Sequence, residues 1–296
     1  RKGEELDITS SSGYLFGAAC KPGMKVIVMQ SVAGDSTVAS VYTQDREGVI
    51  YIFALIYLLV LCLIGGKQGL KGCLGLVFTF FCVIFVYLPL VYLKYSPFWT
   101  AVFVCFITTL VTMYLIVGPT RKTCAATLGT LVGVILAGVS AWCFSKASGI
   151  SGYNVSDIET LMTLWNTNRI QVGGLLFSGL LISCLGAVMD VAMSISSAID
   201  EIYRQNLSLS RKELFKAGLR VGRDMMGTDS NTLILAFAGS SVSTLLLDYS
   251  YNLPYQQIIN SNNIGIAIMQ GLAGSFWIVL SVPFTVLICT ILFHKK

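Results

Sequence analysis

Seven long apolar runs, at roughly 49–65, 72–92, 98–118, 124–145, 171–195, 229–247 and 264–292, restrict the fold of this chain more than any other feature. About 20 apolar residues in a helix cross a hydrocarbon core of about 30 Å, and in that medium every backbone N–H and C=O must bond within the segment. The runs therefore predict an all-α polytopic membrane protein over residues 49–296, with the lipid bilayer as its first partner. Composition agrees: 55% of the 296 residues are hydrophobic and 12% charged, against about 45–50% and about 25% in soluble domains.

Seven spans place the two ends of the helical domain on opposite sides of the membrane. Lys67, Lys71, Arg121, Lys122, six basic residues from Arg204 to Arg223, Lys295 and Lys296 fall in one set of connections, and Lys94, Lys146 and Arg169 in the other. Basic connections stay cytoplasmic, so twelve against three puts the C-terminus inside and residues 1–48 outside, in a cell membrane. Within 1–48, Lys25–Met29 follows the Pro22-Gly23 turn signal and Ser36–Tyr42 follows Gly34-Asp35, which predicts a β-hairpin. Fewer than about 50 residues bury little core alone. This extracytoplasmic β module is therefore expected to be truncated at its N-terminal side, with further strands and a preceding span upstream of Arg1.

Several kinds of chemistry are excluded. Eight of the nine cysteines lie in or beside apolar runs, there is no C-x-x-C pair, and the single histidine is His294. Zinc spacing, a disulfide framework and a His-based nucleophilic couple are thereby absent, and the cysteines read as small buried apolar residues. No enzyme activity, cofactor or nucleic-acid partner is expected, and metal binding is left open. Gly129, Gly133 and Ala137 form a small-x-x-x-small edge on the fourth run, and Ala267, Gly271 and Ser275 form another on the seventh. Such edges let helix backbones approach closely, either within one chain or in a homo-oligomer or paired membrane subunit.

The fifth run differs from the rest. Helical spacing puts Gly179, Ser183, Gly186, Asp190, Ser194, Ser197 and Glu201 on one face, all small or polar. Counted from Gly173 or Gly174, Asp190 lies roughly 25 Å along the helix, about a turn inside the inner boundary. A carboxylate at that depth costs about 2.5–3.5 kcal/mol on insertion scales, and such acids face a bundle interior or an aqueous cavity. Beyond it, Ser210 and Glu213 match a capping box and open a basic amphipathic helix, expected on the inner surface with Leu214, Leu219 and Val221 toward lipid. Residues Gly222 to Thr232 then enter the sixth run with unusual polar density. Asp229, Asn231 and Thr232 are expected at the depth of Asp190, where they could complete a proton or cation site, and Arg223 is placed to neutralise Asp224.

The segments LGAVMDVAMSISSAIDE (185–201) and GRDMMGTDSNTLILAFAGSS (222–241), with the GGKQGLKG turn at 65–72, resemble the YibE/F family of bacterial membrane proteins. The resemblance covers the chain from about Gly23 onward. It implies an initial span before an extracytoplasmic domain. Asp190, Arg223, Asp224, Asn231 and Thr232 match the family pattern, whereas the position of Asp229 is apolar in it. The family supplies architecture and no substrate.

Two functions of different kind follow. One is an ion-coupled transporter or exporter component in which Asp190, assisted by Ser194, Asp229, Asn231 and Thr232, binds a proton or cation, with Gly186, Arg223 and Asp224 in structural or charge-pairing roles. The alternative is a non-transporting envelope scaffold or accessory subunit that binds a partner through its outer module. Intramembrane aspartyl proteolysis is set aside, because Gly186-Ala187-Val188-Met189 precedes Asp190 where a G-x-G-D signature would stand.

Overall fold

The structure is a computed structural model and describes residues 8, 10, 19–33, 36–151, 153, 159, 162–163 and 171–293. The connection between the helix Arg121–Ser148 and the turn Val172–Gly174, residues 149–171 by number, lies mostly outside the described residues, its stretch 158–165 included. The chain divides into two compact units, Arg1–Leu70 and Lys71–Lys296.

In the first unit, β1 (Val26–Ala33) and β2 (Ser36–Gln44) form the expected antiparallel hairpin, with Val28 opposite Val41 and a bulge between Ile27 and Val28. Helix α1 (Glu47–Phe81) follows, and Gly66 breaks its helical path at φ 53°, ψ −132°. A Cβ is strongly disfavoured in that conformation, so the turn needs glycine. Gly69 is close-packed for a second reason: an added Cβ would run into the Leu61 carbonyl. The α1 surface carries exposed Phe53, Leu63 and Ile64, an apolar face with no counterpart on soluble helices.

The second unit is a helical bundle. A π-helical segment (Cys82–Tyr87) leads into α2 (Leu88–Tyr92), where Pro89 removes a backbone donor. Then come α3 (Pro97–Val117), α4 (Arg121–Ser148), a 3₁₀ turn at Val172–Gly174 and α5 (Leu175–Gln205). They are followed by α6 (Arg211–Ser240), α7 (Val242–Ser250), α8 (Tyr255–Ile259) and α9 (Asn262–Phe293). Helices α4, α5 and α9 pack against one another, with α3 against α4 and α5 and α6 against α5 and α9. The fully buried Leu180, Leu181, Val188, Val191, Ile195 and Ile199 of α5 join Trp277, Ile278, Val282 and Val286 of α9 in the core.

The small edges do what their spacing predicts. A side chain on Gly129 would meet the Thr285 hydroxyl, and one on Gly133 would lie 2.8 Å from Val188 Cγ1 and 3.3 Å from Ser281 Cβ. Both glycines thus bring α4 against α9, and Gly133 also brings it against α5. The second edge reaches α6: Gly271 faces Ile234, and Ser275 Oγ donates to the Ser230 carbonyl at 3.2 Å.

Among the described residues five helical stretches are long and apolar enough to cross a bilayer, and a sixth if the bent pair α6–α7 is taken as one span. Seven separate spans are not reproduced. The runs 49–65 and 72–92 lie in one 46-residue stretch, Glu47–Tyr92, interrupted only at Gly66.

The passage from α5 to α9 also departs from expectation. Ser210 does cap α6: its Oγ accepts from the Glu213 amide at 3.3 Å, and Glu213 Oε2 accepts from the Ser210 amide at 2.9 Å. The helix then runs unbroken to Ser240, so no separate surface helix precedes a sixth span. Its first half is not lipid-facing either. Leu214, Gly218 and Gly222 are buried at four-residue steps, with Gly218 against Ile199 and Val286 and Gly222 against Val282 and Ile195. The break falls instead at Ser241, where α6 and α7 meet at 54°.

Candidate functional site

Helix α5 is amphipathic in an unusual sense, with bulky apolar residues on one face and the small or polar stripe on the other. The apolar face is taken by α3, α4 and α9, so the stripe turns outward. Gly179, Ser183, Gly186, Asp190 and Glu201 are exposed, and Ser194 and Ser197 are half-buried. Of the two expected settings, bundle interior or aqueous cavity, the stripe does not take the first. Periodicity separates two faces of a helix but does not say which one the neighbours cover. Here the larger apolar area of Val188, Val191, Ile195 and Ile199 decided it.

Asp190 nevertheless has a neighbour of its own kind on the helix that follows. Gly222 meets Ile195 and Gly218 meets Ile199, a register that sets Asp190 level with Gly227 of the antiparallel α6. Asp229 is half-buried on the same stripe as Gly222 and Leu233, two residues beyond that level. Beside them there is room: an added side chain at Gly186 or Gly227 would meet nothing within 4 Å. Two carboxylates at one level, with unfilled space beside them, can share a proton or hold a cation between them.

The remaining predicted residues fare differently. Thr232 is exposed, and its Oγ1 donates to the Thr228 carbonyl at 3.0 Å. Asn231 is exposed, and at 100° per residue it points about 200° round the helix from Asp229, away from Asp190. Arg223 and Asp224 are both exposed, and no ion pair joins them among the described residues. Adjacent helical residues diverge, so their pairing was geometrically unfavourable from the start. Thr228, Asp229 and Ser230 cap nothing, because they lie in the middle of α6.

Two features were missed. The first is Asp200, about 80° round the helix from Asp190 and buried on the bundle side. Its Oδ2 lies 3.0 Å from Lys122 Nζ at the start of α4 and 3.0 Å from Arg204 Nε one turn on. Ser196 Oγ donates to the Lys122 carbonyl at 3.0 Å, adding a second tie between α4 and α5. The i,i+4 spacing of Asp200 and Arg204 was a readable signal, but the pairing with Lys122, 78 positions earlier by number, was not. The second feature is the α6–α7 break. A cavity of about 300 Å³ opens there, lined by Ser240, Ser241 and Thr244 with Asn263 and Gln270 of α9. Broken helices with polar linings recur at the binding sites of transporters. A Ser-Ser pair inside an apolar run was the available cue.

All nine cysteines are free, and Cys73, Cys82, Cys105, Cys184 and Cys289 are buried. Among the described residues no group of three or more His, Cys, Asp or Glu side chains gathers in a metal-binding arrangement.

No curated protein and no solved structure matches the chain. The family model described as YibE/F-like protein matches residues 53–295, from the first third of α1 to beyond the end of α9. With that match running through the whole bundle, both helix breaks and both aspartate sites, the chain belongs to the YibE/F-like family.

Proposed function

We propose that this YibE/F-like membrane protein is an ion-coupled transporter or exporter component, in which Asp190 loads and releases a proton or cation. The observation that carries the reading is the register of α5 against the antiparallel α6, which brings Asp190 and Asp229 to within two residues of one level on neighbouring helices. Two neighbouring carboxylates resist simultaneous ionisation, so a positive species that visits the pair is held without a fixed counter-ion. Ser194, one turn from Asp190, offers a hydroxyl on the same face. Loading removes repulsion between α5 and α6, and the hinge at Ser241 lets the outer part of the broken span respond. In this reading the Gly66 break is the turn between two spans, giving seven in all, with residues 1–48 extracytoplasmic and the C-terminus cytoplasmic.

The test is flux. In proteoliposomes with an entrapped pH-sensitive dye, Asp190→Asn is expected to abolish proton or cation movement while the protein stays folded and monodisperse. Flux at the parental rate removes the mechanism.

A second reading has one observation in its favour. The outward stripe of Gly179, Ser183 and Gly186 presents small residues to the surroundings, as a surface made for another helix does. A scaffold or accessory subunit would use that face for a partner. In that case Asp190→Asn leaves activity intact, while deletion of residues 1–48 destroys it.

A further inference from the structure

The buried carboxylate of Asp200 forms one wall of a cavity of about 270 Å³, where the N-terminus of α4 meets the C-terminal ends of α5 and α9. Three cations line it: Arg121, Lys122 and Arg204. Asp200 offsets only one of those charges, since its single carboxylate is shared between Lys122 and Arg204 at 3.0 Å each. The lining therefore keeps a surplus of positive charge. The backbone adds to it. Thr120 Oγ1 accepts from the Thr123 amide at 3.3 Å, while the amides of Arg121 and Lys122 open the first turn, where no intrahelical carbonyl is in reach. The positive end of a 28-residue helix thus points into the same space as the side chains.

The lining also includes apolar side chains, Leu207 just beyond α5 and Phe293 at the end of α9. Cationic forks, open amides and an apolar flank together suit a doubly substituted anion with a greasy neighbour. A phosphate fits this chemistry, because guanidinium groups grip its oxygens in pairs and helix amides complete the shell. The cavity volume is large enough for a phosphate with its glycerol. Three helix ends converge here, the level at which lipid headgroups meet a bundle, and basic pockets between membrane helices hold anionic headgroups.

We propose that this cavity is a phosphate-binding site, filled either by the headgroup of an anionic phospholipid or by a free phosphate-bearing solute. Asp200 serves as the positioning residue that holds Lys122 and Arg204 in place. The site is independent of the Asp190–Asp229 pair and of any transport activity.

The full chain, purified in a neutral detergent, can be titrated with phosphatidylglycerol, phosphatidylcholine and inorganic phosphate, with bound lipid read by native mass spectrometry and stabilisation by thermal melting. Phosphatidylglycerol is expected to bind more tightly than phosphatidylcholine. The double variant Arg121→Gln with Arg204→Gln, both at exposed positions, should weaken it about tenfold, and the corresponding Lys variants should retain part of the affinity. Displacement of phosphatidylglycerol by millimolar inorganic phosphate, with stabilisation by phosphate alone, identifies a phosphate-bearing solute. Retention of the lipid in excess phosphate identifies the headgroup. Equal binding of the two lipids without stabilisation by phosphate overturns the proposal, as does unchanged affinity in a folded double Gln variant.

Discussion

Two aspartates ten positions apart on one helix show how far burial separates residues of one type. Asp190 faces outward, near the level of Asp229 on the next helix. Asp200 faces the bundle and is held by Lys122 and Arg204. Removing one partner of a buried ion pair leaves charge without compensation, which costs about 3–5 kcal/mol in a closed interior. Lys122 is partly solvated and Arg204 remains beside Asp200, so Lys122→Met is expected to cost less, about 2 kcal/mol. Lys122→Arg should preserve the pair, and thermal unfolding in detergent distinguishes the two. Equal stability of parent and Met variant would mean that the pair holds nothing together. Helical spacing singled out Asp190 as the chain's exceptional acid, but it was blind to Asp200, whose partner lies on a helix that only folding brings near.

The elements owe their behaviour to glycines and hydroxyls at particular places. Gly66 sits at φ 53°, ψ −132°, closed to side chains, so Gly66→Ala should lose about 1–3 kcal/mol in chemical denaturation even though no atom blocks the new methyl. Gly129 is the opposite case. Its backbone is ordinary, and the obstacle is Thr285 on α9. Gly129→Val is expected to separate α4 from α9 and cost about 1–3 kcal/mol, with Thr285→Ala in the same chain restoring part of the loss. A failure of that rescue would place the strain elsewhere. The sequence showed both small edges by their four-residue spacing. It misplaced the boundary of α6 because polar density at 222–232 resembles a helix entrance, whereas packing of Gly218 and Gly222 on α5 and α9 carries the helix straight through.

For the whole molecule, the distribution of basic residues sets a testable orientation. In a chain whose other cysteines are replaced by alanine, Cys20 should react with a membrane-impermeant maleimide added to intact cells. In a fully cysteine-free chain, Arg121→Cys should react only after permeabilisation. The reverse pattern would invert the topology and place the phosphate cavity on the outer side. By itself the sequence determined the membrane class, the family, the hairpin, the helix-packing edges and the capping box at Ser210, because each rests on local spacing or on total apolar content. Only the tertiary structure decided which face of α5 is covered, where the sixth span bends, and which charges meet. Those outcomes depend on competition for contact area among helices distant in the chain, and the large apolar residues of α5 won the interior and left its polar stripe outside.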